Sequence, residues 1–239
     1  MEIPKSLSLI PKYEAPSSWW EHVPVAHMLI ELIKPSVVVE LGSHYGVSFF
    51  SLCESAERFS PNTCVYAIDS WEGDEHAGYY GGSIYEQVKK YRDWHHKQNG
   101  VLIREYFDKA CEKFENKSID IIHIDGLHTY EAVKADYEMW KRKLKENGTF
   151  LFHDWNVKDD NFGVWKLWEE LKATGEYKVI EFTNGYGLGI ATKSNNRPEW
   201  HDTLQEYKEQ LVTKGILLER IHSLNSINQA QSAELKILT

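Results

Sequence analysis

Val37-Val38-Val39-Glu40-Leu41-Gly42-Ser43-His44-Tyr45-Gly46-Val47-Ser48 is the stretch whose reading decides the fold. It opens with a β-branched apolar run, as in a strand buried on both faces of a sheet. An acid, a glycine, three residues and a second glycine follow, and Phe49-Phe50-Ser51-Leu52 begins an apolar helix. Strand, glycine turn and helix make the first unit of a nucleotide-binding α/β sheet, in which the turn approaches a ligand by its backbone. The third glycine of the dinucleotide fingerprint is missing. An acid just before the first glycine would repel a pyrophosphate and suits the cationic end of an amino-acid-like cofactor.

Outward from this stretch the α/β alternation repeats. Ser17-Ser18 can cap a helix from Trp19 to Ile33 that Pro35 ends. Strands are expected at Val37–Leu41, Thr63–Asp69, Val101–Glu105, Ser118–Asp125, Thr149–Asp154, Tyr177–Phe182 and Tyr186–Thr192. Helices are expected from Phe49 to Arg58, over Phe107–Glu115, from Thr129 to Leu144, and from Phe162 to Thr174, with Asn147-Gly148 closing a unit. Asn184-Gly185 between two apolar runs predicts a hairpin, so the last two strands should be antiparallel neighbours. A dehydrogenase sheet would continue with parallel crossovers. The expected fold is therefore α/β and Rossmann-like, with seven strands, helices on both faces and an antiparallel last hairpin.

The 239 residues suit one α/β domain with an extension, and 42% apolar content with nine tryptophans allows a sizeable core. A net charge of −9 argues against nucleic acid or an anionic membrane surface as partner. Cys53, Cys64 and Cys111 are too scattered for a metal pattern or a disulfide framework. With no signal peptide and no membrane-spanning run, a cytoplasmic protein is expected. Residues 1–18 read as an extended arm with Pro4, Pro11 and Pro16, residues 19–196 as the domain, and residues 197–239 as a helical extension. In that extension Leu217, Ile221, Leu224, Leu235 and Leu238 form a stripe that Asn228 and Gln231 interrupt. It fits a helix lying on the domain or a short coiled coil with weak self-association. The stripe still runs at Thr239, so a larger polypeptide is expected.

Three strands end in acids, Asp69, Asp125 and Asp154. In doubly wound sheets these ends line the ligand crevice, and an acid after the second strand suits ribose hydroxyls; otherwise Asp69 is a cap or turn residue. Asp125, His128, His153 and Asp154 should converge there, as acid–base or metal-binding groups; the alternative for each histidine is a cap or a buried backbone partner. Residues 71–96 begin with a glycine-, aromatic- and acid-rich segment that reads as a lid or as a surface insertion. Trp71, Tyr79, Tyr80 and Trp155 could offer flat faces to a sugar ring, or belong to the core.

Several blocks together are more specific than any one: Trp19-Trp20-Glu21-His22-Val23-Pro24, the Glu40–Ser48 loop, Ile68-Asp69-Ser70-Trp71-Glu72-Gly73-Asp74-Glu75-His76-Ala77-Gly78, His123-Ile124-Asp125-Gly126-Leu127-His128-Thr129-Tyr130, Leu151-Phe152-His153-Asp154, and Phe162-Gly163-Val164-Trp165. Over about residues 17–192 the chain resembles class I S-adenosylmethionine-dependent methyltransferases of the Methyltransf_24 type, which often accompany or are fused to glycosyltransferases of surface-glycan synthesis. The resemblance implies an O-methyltransferase acting on a sugar or glycan hydroxyl. Small non-sugar metabolites, or a catalytically silent glycan-binding or scaffolding domain, are the alternatives. It implies that Glu40, Gly42, Ser43, Gly46 and Ser48 cradle the amino-acid end of the cofactor. Asp69 would hold the ribose, Ser70 and Trp71 would border the adenine, and Asp125 would face the methyl group. Related sugar O-methyltransferases hold a divalent metal on acids ending strands four and five, with two adjacent acids on strand five. Here the fifth strand ends His153-Asp154, so Asp125, Asp154 and His153 are the expected ligands of magnesium, manganese or a similar ion. His128 is the expected base, with His153 as the other candidate.

Overall fold

The computed structural model describes residues 3–159, 161–193 and 197–238, with side chains to residue 233. Seven strands form one sheet: β1 (Val37–Leu41), β2 (Cys64–Asp69), β3 (Gly100–Arg104), β4 (Ile119–Ile124), β5 (Leu144–His153), β6 (Tyr177–Phe182) and β7 (Leu188–Lys193). The spatial order is β3-β2-β1-β4-β5-β7-β6. The first five strands are parallel, and β7 runs antiparallel to both β5 and β6. The order reverses between β1 and β4, so a crevice opens above their carboxyl ends.

Alternation along the strands builds two cores, because successive side chains point to opposite faces. Val38, Val65, Ala67, Ile121 and Leu151 pack beneath α1 (Val23–Ile33), α2 (Val47–Phe59) and α3 (Ser83–His95). Val39, Leu41, Ile122, Ile124, Phe150 and Phe152 face α4 (Phe107–Cys111), α5 (Tyr130–Trp140) and α6 (Val164–Thr174). Helices thus cover both faces, as the unbroken apolar strands require.

Several boundaries differ from the sequence reading. The first helix is preceded by a 3-10 turn, Trp20–His22, because Pro24 near its start cannot donate backward. α5 stops at Trp140, and β5 already pairs at Leu144 with Ile119 before its register slips at a bulge. Asn147-Gly148 therefore lies inside this strand. β7 begins at Leu188, and Phe182 pairs directly with it, so the hairpin turns through residues 183–187 instead of two residues.

The arm and the tail both reach the core. Tyr13 is buried and its hydroxyl donates to the Tyr45 carbonyl at 2.7 Å, while Glu31 accepts from the backbone of Lys5 and Ser6. The tail forms α7 (Glu199–Glu206) and the long α8 (Lys208–Leu238). His201 contacts Thr192 Oγ1 at 2.9 Å, Leu204 and Leu211 are buried, and Lys214 donates to the carbonyls of Leu7 and Leu9 at 2.9 and 2.6 Å. A Cβ at Gly215 would lie 2.0 Å from the Glu21 carbonyl oxygen, so only glycine lets α8 approach so closely. Leu217, Ile221 and Leu224 face outward, at 52–59% exposure, and Asn228 and Gln231 are exposed beyond them. Leu235 and Leu238 lie outside the residues whose side chains are described. Among the described residues no helix is long and apolar enough to cross a membrane.

Candidate active site

A cavity of about 680 Å³ opens above the crevice. Gly42 (φ +86°) carries the chain from β1 across the end of β4, where a Cβ would lie 2.1 Å from the Asp125 carbonyl oxygen. Only glycine allows this approach. Ser43, Ser48, Asp69 and Ser70 line the cavity near this turn. The Asp69 carboxylate accepts from the backbone N–H of Ser43 and His44 at 2.9 Å and of Trp71 at 2.6 Å. Three of its roughly four lone-pair positions are thus used, and one remains for a ligand. The Ser43 hydroxyl is buried without a partner at the same turn. An orphaned hydroxyl beside a glycine cradle fits the polar end of S-adenosylmethionine.

Three expected cofactor residues stand elsewhere. Glu40 is fully buried, its Oε2 3.1 Å from His123 Nδ1 on β4. Trp19 Nε1–H donates to His123 Nε2 at 3.3 Å, which leaves Nδ1–H to donate to Glu40. Trp71 is also buried, and its Nε1–H donates to the His44 carbonyl at 2.9 Å, so it anchors the following segment. Gly46 (φ +83°) starts α2 and lies outside the cavity lining.

Past the ends of β4 and β5, four side chains meet. His128 Nε2 lies 3.3 Å from Asp125 and 2.9 Å from Asp154. His153 Nδ1 lies behind both acids, 3.3 Å from Asp125 and 3.2 Å from Asp154. Neither contact has hydrogen-bond geometry, so His153 meets the acids as an ion pair. Burial opposes charge on both rings, but the paired carboxylates prevail and raise His128 to about 9 and His153 to about 10. In return, and against burial, the histidines hold Asp125 well below the usual carboxylate range and Asp154 near about 2. Asp125, His128 and Asp154 offer ligand atoms all within 4.8 Å of one another. His128 thus takes the place expected for His153, which is 1% exposed and braces the acids from beneath. Two carboxylates and an imidazole fit a divalent cation that tolerates nitrogen.

The structure brings forward His22, His44, His76 and Tyr186, to which the sequence reading gave no individual role. Burial, with the nearby charge of His153, lowers His22 to about 3; its Nε2 is 2.9 Å from the Gly185 carbonyl, to which the neutral ring donates. His44 (φ +47°) stacks on Tyr80 at 4.7 Å and ties the glycine turn to the segment after β2. That segment folds over the cavity as a small ribbon, Gly73–Asp74 against Gly78–Tyr79, and brings His76 to the wall. It forms one wall of the cavity, with Trp71 as its anchor, as the lid reading expects. Trp155 is buried, whereas Tyr186, on the loop between β6 and β7, lines the cavity. The repeated glycines around Tyr186 were its only local signal.

Residues 39–155 match a family described as a methyltransferase domain, Methyltransf_24. An uncharacterised Sinorhizobium fredii protein, y4gI, is 39% identical over 182 residues, which are 74% of this chain. The match spans only 19% of that relative's length. A Corynebacterium glutamicum protein superposes with a TM-score of 0.58 at 14% identity, covering 77% of this chain and 84% of its own. The O-methyltransferase TomG of Streptomyces achromogenes, solved with S-adenosylmethionine, superposes with a TM-score of 0.56 at 11% identity, over 81% and 92%. Sheet order and glycine turn agree with the family match: residues 39–155 are similar to a methyltransferase domain, and the fold is that of methyltransferases solved with S-adenosylmethionine.

Proposed function

We propose that this domain transfers the methyl group of S-adenosylmethionine to a hydroxyl of a sugar or glycan. The convergence of Asp125, His128 and Asp154 on the cavity, at the end where β4 and β5 finish, carries this reading. A sugar hydroxyl is a weak acid, so its methylation needs help in losing a proton, and this cluster is the polar machinery available. Gly42, Ser43 and Ser48 would hold the amino-acid end of the donor, Asp69 its ribose and Ser70 the adenine side. Asp125 then faces the sulfonium, which keeps donor carbon and acceptor oxygen in line. His153 fixes both acids from behind. Asp125, Asp154 and His128 would hold a divalent cation, which when bound lowers the pKa of the acceptor hydroxyl. The TomG likeness supports oxygen as the acceptor atom, and a cavity lined by acids, histidines, serines and aromatic rings supports a sugar. The domain would work beside a glycosyltransferase, fused or separate, as the length of the y4gI relative allows. Its free cysteines suit the cytoplasm.

One observation favours a second account of the proton. His128 Nδ1 is buried without a partner, while Nε2 faces both acids. An imidazole oriented by carboxylates on one nitrogen accepts a proton on the other only when neutral, so with His128 raised to about 9 this account requires turnover to climb as pH rises toward that value. Chelation separates the accounts: full activity after thorough EDTA treatment, with no metal by elemental analysis, leaves His128 alone as base. The acceptor is tested with labelled S-adenosylmethionine against sugars, nucleotide sugars and simple phenols, read by mass spectrometry. Methylated sugar is expected. Transfer to phenols alone overturns the sugar reading, and donor binding without any turnover makes the domain a silent binder.

A further inference from the structure

We propose that Tyr186 and His76 form the acceptor subsite: the Tyr186 ring receives one face of a sugar ring, and His76 on the lid bonds its hydroxyls. The inference rests on the sugar reading above and names the residues that would select it.

Tyr186 is 60% exposed, so its ring contributes little to the core, yet its backbone is held tightly. Gly185, Tyr186 and Gly187 have φ of +53°, +68° and +99°, three left-handed residues in succession. Glycine adopts this region freely, whereas a bulky side chain does so only under constraint from its surroundings. The constraint is visible on both sides. The carbonyl of Gly185 accepts from His22, that of Tyr186 from the Asn156 N–H at 3.1 Å, and that of Gly187 from the Asp154 N–H at 3.0 Å. A Cβ on Gly185 would lie 2.9 Å from Glu21, and one on Gly187 2.8 Å from Asn156. The loop therefore cannot relax, and it sets an aromatic ring on the cavity wall in fixed register with Asp154. A strained, pinned position that displays an aromatic without packing it points to a ligand. The face of a tyrosine ring is apolar and electron-rich, which suits the C–H face of a sugar.

His76 supplies the polar complement. Asp74 Oδ1 accepts from the backbone of His76 and Ala77 at 2.8 and 2.7 Å, which fixes the lid tip. The His76 ring lies parallel to Phe162, centroids 4.7 Å apart, and to His128, 5.6 Å apart. Both its nitrogens are buried without a partner. Such nitrogens call for a missing donor or acceptor, and a sugar hydroxyl is both. A simple phenol has one hydroxyl, the one to be methylated, and leaves none for His76, so the two residues together favour a polyhydroxylated ring.

The test uses the full chain and whichever sugar the acceptor screen methylates fastest. Tyr186→Ala should raise the KM of that sugar about tenfold, with a smaller change in kcat and an unchanged Kd for S-adenosylhomocysteine by calorimetry. Tyr186→Phe and Tyr186→Trp should retain KM within about threefold. Tyr186→Gly suits the backbone and should keep or raise Tm, yet lose acceptor affinity as alanine does. A purely structural tyrosine would instead be rescued by glycine. His76→Ala should raise the same KM, and His76→Gln should restore part of it. If the wild type methylates sugars and Tyr186→Ala leaves acceptor KM unchanged, the subsite is wrong while the proposed function stands. If the wild type methylates phenols and no sugar, the functional reading fails and the subsite with it.

Discussion

Glu40 with His123, and Asp125 with His128, are acid–histidine pairs built on neighbouring strand ends, yet only one pair faces the cavity. His123 and Asp125 are two residues apart along β4 and approach to 3.9 Å. Glu40 and His123 stand opposite each other within the parallel ladder of β1 and β4, and both are completely enclosed. Asp125 lies one step past the end of β4, where the loops separate, and its side chain is 18% exposed. The same pairing is sealed inside the ladder and open to the cavity just beyond it. Depth along the strand, rather than residue type, sets the role.

The largest expected effect falls on Asp154, which shares His128 with the outer pair. Asp154→Ala should lower turnover by roughly 10²–10⁴, with the fold retained, because it removes the partner of His128 and, in the proposed function, a cation ligand. Circular dichroism and initial rates with labelled donor check this. Near-normal turnover would collapse the distinction between the pairs. Asp69→Ala, at the cofactor end of the cavity, should weaken S-adenosylhomocysteine binding by roughly 10- to 100-fold, from loss of about 1.5–3 kcal/mol of charge-assisted bonding. Undiminished affinity by calorimetry would put the ribose contact elsewhere.

For the inner pair the expectation is reversed. Glu40→Ala leaves His123 Nδ1–H buried without its acceptor and should cost about 3 kcal/mol of stability in urea unfolding. Turnover of the folded fraction should stay close to that of the wild type. A stable Glu40→Ala that has lost donor binding would return Glu40 to the cofactor cradle that the sequence pattern suggests.

The pH response sharpens the comparison further. His128 and His153, raised from 6.5 to about 9 and 10, bind protons more tightly folded than unfolded. Their stabilisation is full below pH 6.5 and is lost as pH rises through 9 to 10. Asp154, lowered from 3.8 to about 2, stabilises above pH 3.8 and loses that contribution as pH falls through 2. Metal-free protein should therefore melt at lower temperature as pH rises across that alkaline window, and Asp154→Asn should show a smaller loss. Manganese should bind more tightly as His128 gives up its proton. A flat alkaline Tm profile in EDTA-treated protein would mean that the four side chains are not coupled in this way.

The smallest effects concern the two halves of α8. A chain ending after Leu224 should keep its Tm within about 2 °C, since residues 226–233 are exposed. A chain ending at Lys193 loses the burial of Leu204 and Leu211 and should be severely destabilised. Wild-type stability in the shorter chain would restore residues 197–239 to a separate extension.

Local order sufficed for much of this molecule. A buried apolar run followed by Glu40-Leu41-Gly42 and Gly46, and an Asn-Gly between two strands, announce a parallel sheet that closes with a hairpin, because periodicity and turn chemistry are local properties. Acids that end strands on a parallel sheet must emerge at one rim, so Asp69, Asp125 and Asp154 were placed together without coordinates. Tertiary packing decided the rest. It drew Glu40 inward to His123, set His153 beneath the acids and gave His128 the position between them. It also folded the segment after β2 so that His76 reached the wall, and pinned the Tyr186 loop by backbone bonds from Asn156 to Tyr186 and from Asp154 to Gly187. None of these choices has a local signature. Whether a side chain at a strand end points to ligand, core or partner depends on what the neighbouring strands and loops leave unfilled, and those neighbours come from distant parts of the chain.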